Sequence, residues 1–456
     1  MNNRSTPFPK GALAATRFLA ALSIVLFVVG KIHAAESWTL ARAISHALTN
    51  SPDARIAQKR IAAARAGIAQ ANSALWPQLQ LQSSYTRTDN PMFVFGSILN
   101  QRAFSPSLNF NDVPDVDNLN VRGVLTMPLY AGGRISAGRN AAKANTGAAK
   151  ANAEAVRNTL AFEVARTFHT VLKTREFIRA AEAGVRSFEN NLTIASNRVN
   201  TGTALKTDML DMQVRLAQAR EDLVRDRNAN ALSERALRTV LGIEAGEFAV
   251  ASSAPEVAPP VEDLKSEISN LKFPARPELA AVQEGQRAAE AQVRQAKSGY
   301  RPRVSAFGSL DYDQGWVSDG DGNSYTAGVM VQWNLWDGKL TRGRVSEAQA
   351  NLEAAREEER KLRLAIGFEV EQARLQLKEA SERLAVTEAA VAQAQESVEL
   401  TRSRFEQGLM ISTQLIDADT ALLAARVRRA EAEGDQRIAI AALRKALGLP
   451  QLNSAP

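Results

Sequence analysis

The sequence predicts a mainly α-helical chain with a membrane-facing β part, built from two copies of one helix–hairpin–helix unit. Three observations predict it. The two halves repeat each other at a fixed offset; each half contains a proline-free helical stretch of about 65 residues; and each half sets two short alternating segments between its helices.

The duplication carries the most weight because it consists of many coincident matches. At an offset of 206, Leu129-Tyr130-Ala131-Gly132 falls on Leu335-Trp336-Asp337-Gly338, and Phe162-Glu163-Val164 on Phe368-Glu369-Val370. Gly202 falls on Gly408, Thr207 on Thr413, Asp211 on Asp417 and Leu241-Gly242 on Leu447-Gly448. Earlier in each copy the offset is 225, with Ser51-Pro52 on Arg276-Pro277 and Trp76-Pro77 on Arg301-Pro302. The first copy therefore carries 19 extra residues between Pro77 and Pro128. These matches divide the chain into a leader (1–35), a first repeat (36–242), an inter-repeat linker (243–262), a second repeat (263–449) and a short tail (450–456).

The leader carries Arg4, Lys10, Arg17 and Lys31, no acid, and an apolar run from Phe18 to Gly30 before Ala34-Ala35. A basic flank, a short apolar centre and small residues form an export signal cleaved after Ala34 or Ala35. The run is too short for a spanning helix, which needs about 20 apolar residues. The whole chain has 56 basic against 49 acidic residues; without the leader's four the balance falls to 52 against 49. That near-neutral remainder offers no electrostatic footprint for nucleic acid. No cysteine is present, which excludes disulfides, thiolate metal sites, a cysteine nucleophile and a lipid anchor on an N-terminal cysteine. Outside the leader only His46 and His169 remain, far apart, so neither a histidine metal site nor a serine–histidine–acid grouping can be assembled, and no cofactor is expected.

The long helices are expected near Gly138–Asn200 and Arg342–Glu406, each roughly 100 Å long. Val370, Leu377, Leu384, Val391, Val398 and Phe405 step by seven, with Ala373, Ala380, Thr387, Ala394 and Thr401 three residues after the first five. The first copy repeats the step at Val164, Val171, Ile178, Val185, Leu192 and Val199. A seven-residue step gives a left-handed supercoil, and small residues on its second seam let the helices approach closely. Glycine turns at Gly202 and Gly408 lead into returning helices that end near Leu241 and Leu447.

Four strands are expected, at about 78–88, 119–130, 303–313 and 324–336. In the first, Leu79, Leu81 and Tyr85 alternate with Gln80, Gln82 and Ser84; in the last, Tyr325, Val329, Val331, Trp333 and Leu335 alternate with Thr326, Gln332 and Asn334. Such strands fit a membrane barrel with lipid outside and water inside. A soluble sheet with one wet face has the same alternation, but Tyr85, Trp333 and Trp336 near strand ends and the export signal favour lipid. Four strands cannot close a barrel, so chains must share one. Two chains would supply eight strands and a filled interior; three would supply twelve, an open lumen and twelve helical staves.

Duplicated halves, a strand pair between the helices of each, the Pro128–Gly133 strand exit and the glycine-turned hairpins together resemble the TolC family of outer-membrane efflux proteins. The resemblance covers essentially the whole mature chain. It implies a homotrimer whose 12-stranded β-barrel crosses the outer membrane of a Gram-negative bacterium, amid outer-membrane lipid, and continues as a 12-helix α-barrel through the periplasm. It further implies a passive, non-enzymatic export duct serving tripartite efflux or type I secretion. The duct would dock a periplasmic adaptor (membrane fusion) protein and an inner-membrane transporter of RND, ABC or MFS type.

The resemblance puts the periplasmic aperture at the hairpin tips, 200–211 and 406–419. Family members hold this gate with a tyrosine, an arginine and two aspartates. Here Phe405 stands for the tyrosine, Met410 for the arginine and Gln414 for the first aspartate, while Asp417 keeps the second and Asp208 matches an aspartate of the first tip. The expectation is a gate held more by packing than by ion pairs, with Asp417, Asp208 and Asp211 as acidic rings or, alternatively, as solvated carboxylates at helix starts. Gly202, Thr203, Gly408 and Leu409 become candidates for adaptor contact. Asp319, Asp321 and Asn323 mimic a calcium loop, but Ser324 and Met330 occupy its glycine and glutamate positions, so a hairpin turn is expected there. Phe93, Phe95 and Phe104 fall in a long external loop over 89–118, where they either form the core of an ordered loop or cap the pore or meet another surface component. The competing reading is a soluble periplasmic coiled-coil scaffold, which explains the heptads but not the strands.

Overall fold

A computed structural model describes residues 38–109, 111–244, 248–251 and 276–452. The leader with its cleavage site, linker residues 252–262 with their prolines, and the end of the tail lie outside the described residues.

In chain order the elements are α1 (Leu40–Asn50), α2 (Pro52–Ser73), β1 (Gln78–Thr88), α3 (Pro91–Asn100), β2 (Val116–Tyr130), α4 (Arg134–Asn200) and α5 (Lys206–Leu241). After the linker come α6 (Pro277–Lys297), a 3-10 turn, β3 (Arg303–Gly315), β4 (Gly320–Gln332), α7 (Leu340–Glu406) and α8 (Ser412–Leu447). The repeat is conformational as well as compositional. α4 and α7 each have 67 residues and α5 and α8 each 36, starting 206 positions apart. Gly202 (φ 75°) and Gly408 (φ 79°) make the left-handed turns that reverse the chain at each hairpin tip.

The local signals that start these elements are also shared. Pro52 and Pro277 occupy the first turns of α2 and α6, where a missing N–H costs nothing. Pro77 and Pro302 precede β1 and β3. All twelve heptad residues are buried or half-buried. Val164, Phe168 and Val171 of α4 pack with Leu237 and Leu241 of α5 and with Ile44 of α1. The matching cluster joins Leu377 and Ala380 of α7 to Ile440, Leu443 and Leu447 of α8. Each large side chain buried there contributes about 2 kcal/mol of transfer free energy.

Nearer the sheet the helices lie side by side as α2, α4, α6, α7; beyond it the order is α5, α4, α8, α7. The four strands form one antiparallel sheet in the order β1-β2-β3-β4. Leu79 pairs with Leu125, Gly123 with Leu310 and Leu310 with Tyr325. Paired residues share a face, so Leu79, Leu81, Leu125, Leu310, Tyr325, Val329 and Val331 make one continuous exposed apolar surface. The opposite face carries Gln80, Gln82, Arg122, Asn120, Asp311 and Asp313.

Two expectations need correction. The fourth strand stops at Gln332, which pairs with Arg303, so Trp333 and Leu335 lie beyond the ladder. Pro302 ends the partner strand by removing a donor, and Trp333 instead donates its indole N–H to the Tyr300 carbonyl at 3.1 Å. The external segment does hold an ordered core, but not the expected one: it contains α3, whose Val94 and Ile98 are buried against Val116 of β2, while Phe93, Phe95 and Phe104 stay exposed.

Candidate functional site

Each layer of the chain is an open strip. β1 and β4 have unpaired outer edges, and the helical layer ends at α2 and α5 on one side and at α7 on the other. Both free helix edges expose apolar side chains, with Val214, Val224 and Leu232 on α5 and Leu364, Phe368 and Val386 on α7. The bare edges of sheet and helical layer fall on the same sides of the chain. Trp76, Tyr300, Trp333 and Trp336 are exposed at the strand–helix junction, as in an interfacial girdle. At the same level Arg134, Arg301, Arg303 and Arg344 line a cavity of about 400 Å3. The carboxylate in its wall, Asp337, is engaged by the Thr341 N–H at 2.9 Å and hydroxyl at 2.5 Å, which hold it below the usual carboxylate range.

The two hairpin tips meet at the far end. Phe405 is fully buried with Ala195, Met212, Leu415 and Ile416, and Met410 is half-buried against them. Packing is only part of the contact, however. Arg198, in the last turn of α4, stacks its guanidinium 4.7 Å above the Phe405 ring. It also donates to the carbonyls of Phe405 at 2.7 Å and Thr203 at 3.0 Å. A guanidinium from the first hairpin thus packs on the tip of the second.

Asp208 and Gln414, at equivalent positions of the two repeats, both cap their helices, accepting from the N–H of Leu205 at 3.1 Å and Ile411 at 3.4 Å. Asp208 additionally accepts from Ser412 Oγ at 2.6 Å, linking the tips. Asp211, Asp417, Gly202, Thr203, Gly408 and Leu409 are all exposed at this end.

Sequence reasoning missed a buried polar cluster about two turns above. Asp419 is only 4% exposed. It accepts from Ser187 Oγ at 2.7 Å and from the Asn191 amide, and Arg402 Nη2 lies 3.4 Å away. Arg402 also donates to Ser187 Oγ at 2.7 Å and Asn191 Oδ1 at 3.3 Å. The available signal was periodicity: Asp419 sits on the apolar stripe of Leu415, Ile416 and Leu422, where a charge needs a partner.

A second buried cluster lies midway along the helices. Arg276, nearly fully buried, binds Glu278 at 2.8 Å and Glu369 at 2.5 Å, and Lys445 lies 3.2 Å from Glu369. Burial, the largest single influence, opposes the charged forms of both carboxylates, but the Arg276 hydrogen bonds together with the charges of Arg276 and Lys445 keep both below their ordinary values. Among the described residues no group of histidines or carboxylates could hold a metal ion. Asp319 occupies the β3–β4 turn and Asn323 accepts from Arg102 at 2.8 Å. No described helix is long and apolar enough to cross a membrane.

The chain thus joins a four-stranded sheet with one apolar and one polar face to a layer of helices about 100 Å long. The chain belongs to the outer membrane efflux protein family, whose profile matches residues 43–243 and 274–449. It is similar to the alkaline protease secretion protein AprF of Pseudomonas aeruginosa, 25% identical over 297 residues, 62% of this chain and 60% of AprF. Protein CyaE of Bordetella pertussis is 28% identical over 349 residues, 75% of this chain and 69% of CyaE. The chain thus spans about two thirds of the length of these relatives. In fold it resembles the outer membrane protein VceC of Vibrio cholerae, with a TM-score of 0.74 and 18% identity over 91% of this chain and 97% of VceC. The soluble-scaffold reading finds no support in these relationships.

Proposed function

We propose that three copies of the chain close a 12-stranded barrel in the outer membrane and a 12-stave helical tunnel beneath it. The assembly acts as a passive export duct. Substrates reach it from an inner-membrane transporter through a periplasmic adaptor that docks at the hairpin tips. The observation that carries this reading is the pair of open strips: sheet and helical layer each contribute four staves and leave matching edges bare. Unpaired strand edges cannot face lipid, so closure by further copies is the physical requirement. Membership of an outer membrane efflux family supports the location and the transport role.

The polar sheet face becomes the lumen wall and the apolar face meets lipid. At the tips, Asp417 supplies an acidic ring on the axis and Asp208, Phe405, Met410 and Gln414 hold the closed aperture around it. Gly202, Thr203, Gly408 and Leu409 form the adaptor-facing rim. Native mass spectrometry of the detergent-extracted mature protein tests the proposal. Three chains are expected; a stable monomer in outer-membrane extracts would overturn it.

A further inference from the structure

The 19 extra residues of the first repeat do not project beyond the sheet but fold back onto it. A Cβ on Gly322 would sit 2.0 Å from the Asn100 carbonyl oxygen, and one on Gly320 2.6 Å from that of Gln101. One on Gly315 would meet Gln101 Oε1 at 2.3 Å. The segment after α3 therefore lies flat on the β3–β4 hairpin. Register says on which face: Gly322 pairs with Asp313 and Asp313 with Asn120, and paired residues point the same way. This is the polar face. Gln101 seals the contact; it is fully buried, donates to the Asp117 carbonyl at 2.7 Å and Asn118 Oδ1 at 2.9 Å, and accepts from Ser318 Oγ. Val116, under Val94 and Ile98, is on the same face, two residues before Asn118.

The other side of α3 is bare and apolar. Met92 and Leu99, seven residues apart, lie opposite Val94 and Ile98, and Phe93 flanks them; Met92 is 80% and Phe93 68% exposed. No residue of α3 is charged.

We propose that three copies of α3 meet on the barrel axis through Met92, Phe93 and Leu99 and form an apolar outer gate, a second closure at the end opposite the helical tips. The inference rests on the trimeric-duct reading, because only closure turns the polar face into a lumen. Twelve strands about 4.8 Å apart and tilted by about 40° make a ring of roughly 12 Å radius. A helix packed on that wall occupies about 10 Å of it, so three fill the mouth. The occupant of each bare face is the same helix from the other two copies. Their symmetry places identical uncharged faces together without repulsion, and an apolar constriction shuts by excluding water. Among the described residues only the first repeat carries such a helix; the β3–β4 turn is four residues, 316–319, so each chain contributes one gate element.

The chain lacks cysteine, so single Met92→Cys and Leu99→Cys variants of the full-length protein report on their own symmetry mates. Mild oxidation in outer membranes should produce a disulfide-linked dimer that reductant dissolves, while Leu81→Cys on the lipid face stays unlinked. In the same cells an impermeant maleimide added outside should fail to label Gln80→Cys, on the polar face below the helix. Combining Gln80→Cys with Met92→Ser, Phe93→Ser and Leu99→Ser should restore labelling. A trimeric protein that links at neither position and labels freely at Gln80→Cys with α3 intact overturns the gate and leaves the duct standing. A monomer by native mass overturns both.

Discussion

Asp419 on α8 accepts a hydrogen bond from Ser187 Oγ on α4 at 2.7 Å, bridging two hairpins across 232 positions of sequence. Arg402 of α7 touches both residues, so three helices meet at one buried carboxylate. Asp419→Ala leaves the buried Asn191 amide and part of Arg402 without an acceptor, at a cost of about 3 kcal/mol. That cost falls on the arrangement in which the hairpins are docked, lowering its population by about a hundredfold. Single-channel recordings in planar bilayers should show a higher conductance than the parent. An unchanged conductance would reduce the cluster to internal packing within each subunit.

The tip below it depends on Phe405. Truncation to alanine removes a fully buried ring and the platform under Arg198, costing about 3–4 kcal/mol. Met410→Ala, half-buried, should cost about 1 kcal/mol. Conductance should therefore rise in the order parent, Met410→Ala, Phe405→Ala. If both variants conduct like the parent, this cluster does not hold the aperture.

Charge selectivity should follow from two belts of opposite sign, the exposed Asp417 at the tip and the arginines at the barrel root. In the proposed trimer Asp417→Asn removes three carboxylates from the tip and should shift the reversal potential in a salt gradient toward anions. Arg303→Gln should shift it the opposite way. A reversal potential indifferent to Asp417→Asn would place this carboxylate away from the axis.

His169 gives a pH dependence of known sign. Burial, with a smaller contribution from Arg437, lowers its pKa from 6.5 to about 4, and its Nδ1 has no hydrogen-bond partner among the described residues. The unfolded chain takes up the proton first, so stability is full above pH 6.5 and declines as pH falls toward about 4. The loss reaches up to about 3 kcal/mol per chain. Thermal unfolding followed by circular dichroism should show this decline in the parent and a smaller one in His169→Phe. Equal declines would assign the effect to other groups.

Much of the architecture was legible because it is periodic. The seven-residue step, the two-residue alternation and the recurrence at 206 are properties of neighbours in sequence, and they give the right helices, faces and glycine turns. Strand ends were harder: Trp333 and Leu335 continue the alternation of β4, yet the ladder ends because Pro302 ends the strand opposite. At the tip, the residue pattern identified Phe405 as apolar packing but missed Arg198, whose partner lies 207 positions away.

The sequence alone determined a duplicated chain of supercoiled hairpins with a two-faced sheet, because each of those features is encoded within a few turns or one strand. Only the tertiary structure decided which buried polar groups meet and where the surplus of the first repeat goes. Ser187, Asn191, Arg402 and Asp419 come together only when α4, α7 and α8 pack, and α3 turns onto the polar face only because the β3–β4 hairpin offers glycines there. Both outcomes depend on long-range burial, in which a carboxylate finds its donors and a bare backbone finds its cover.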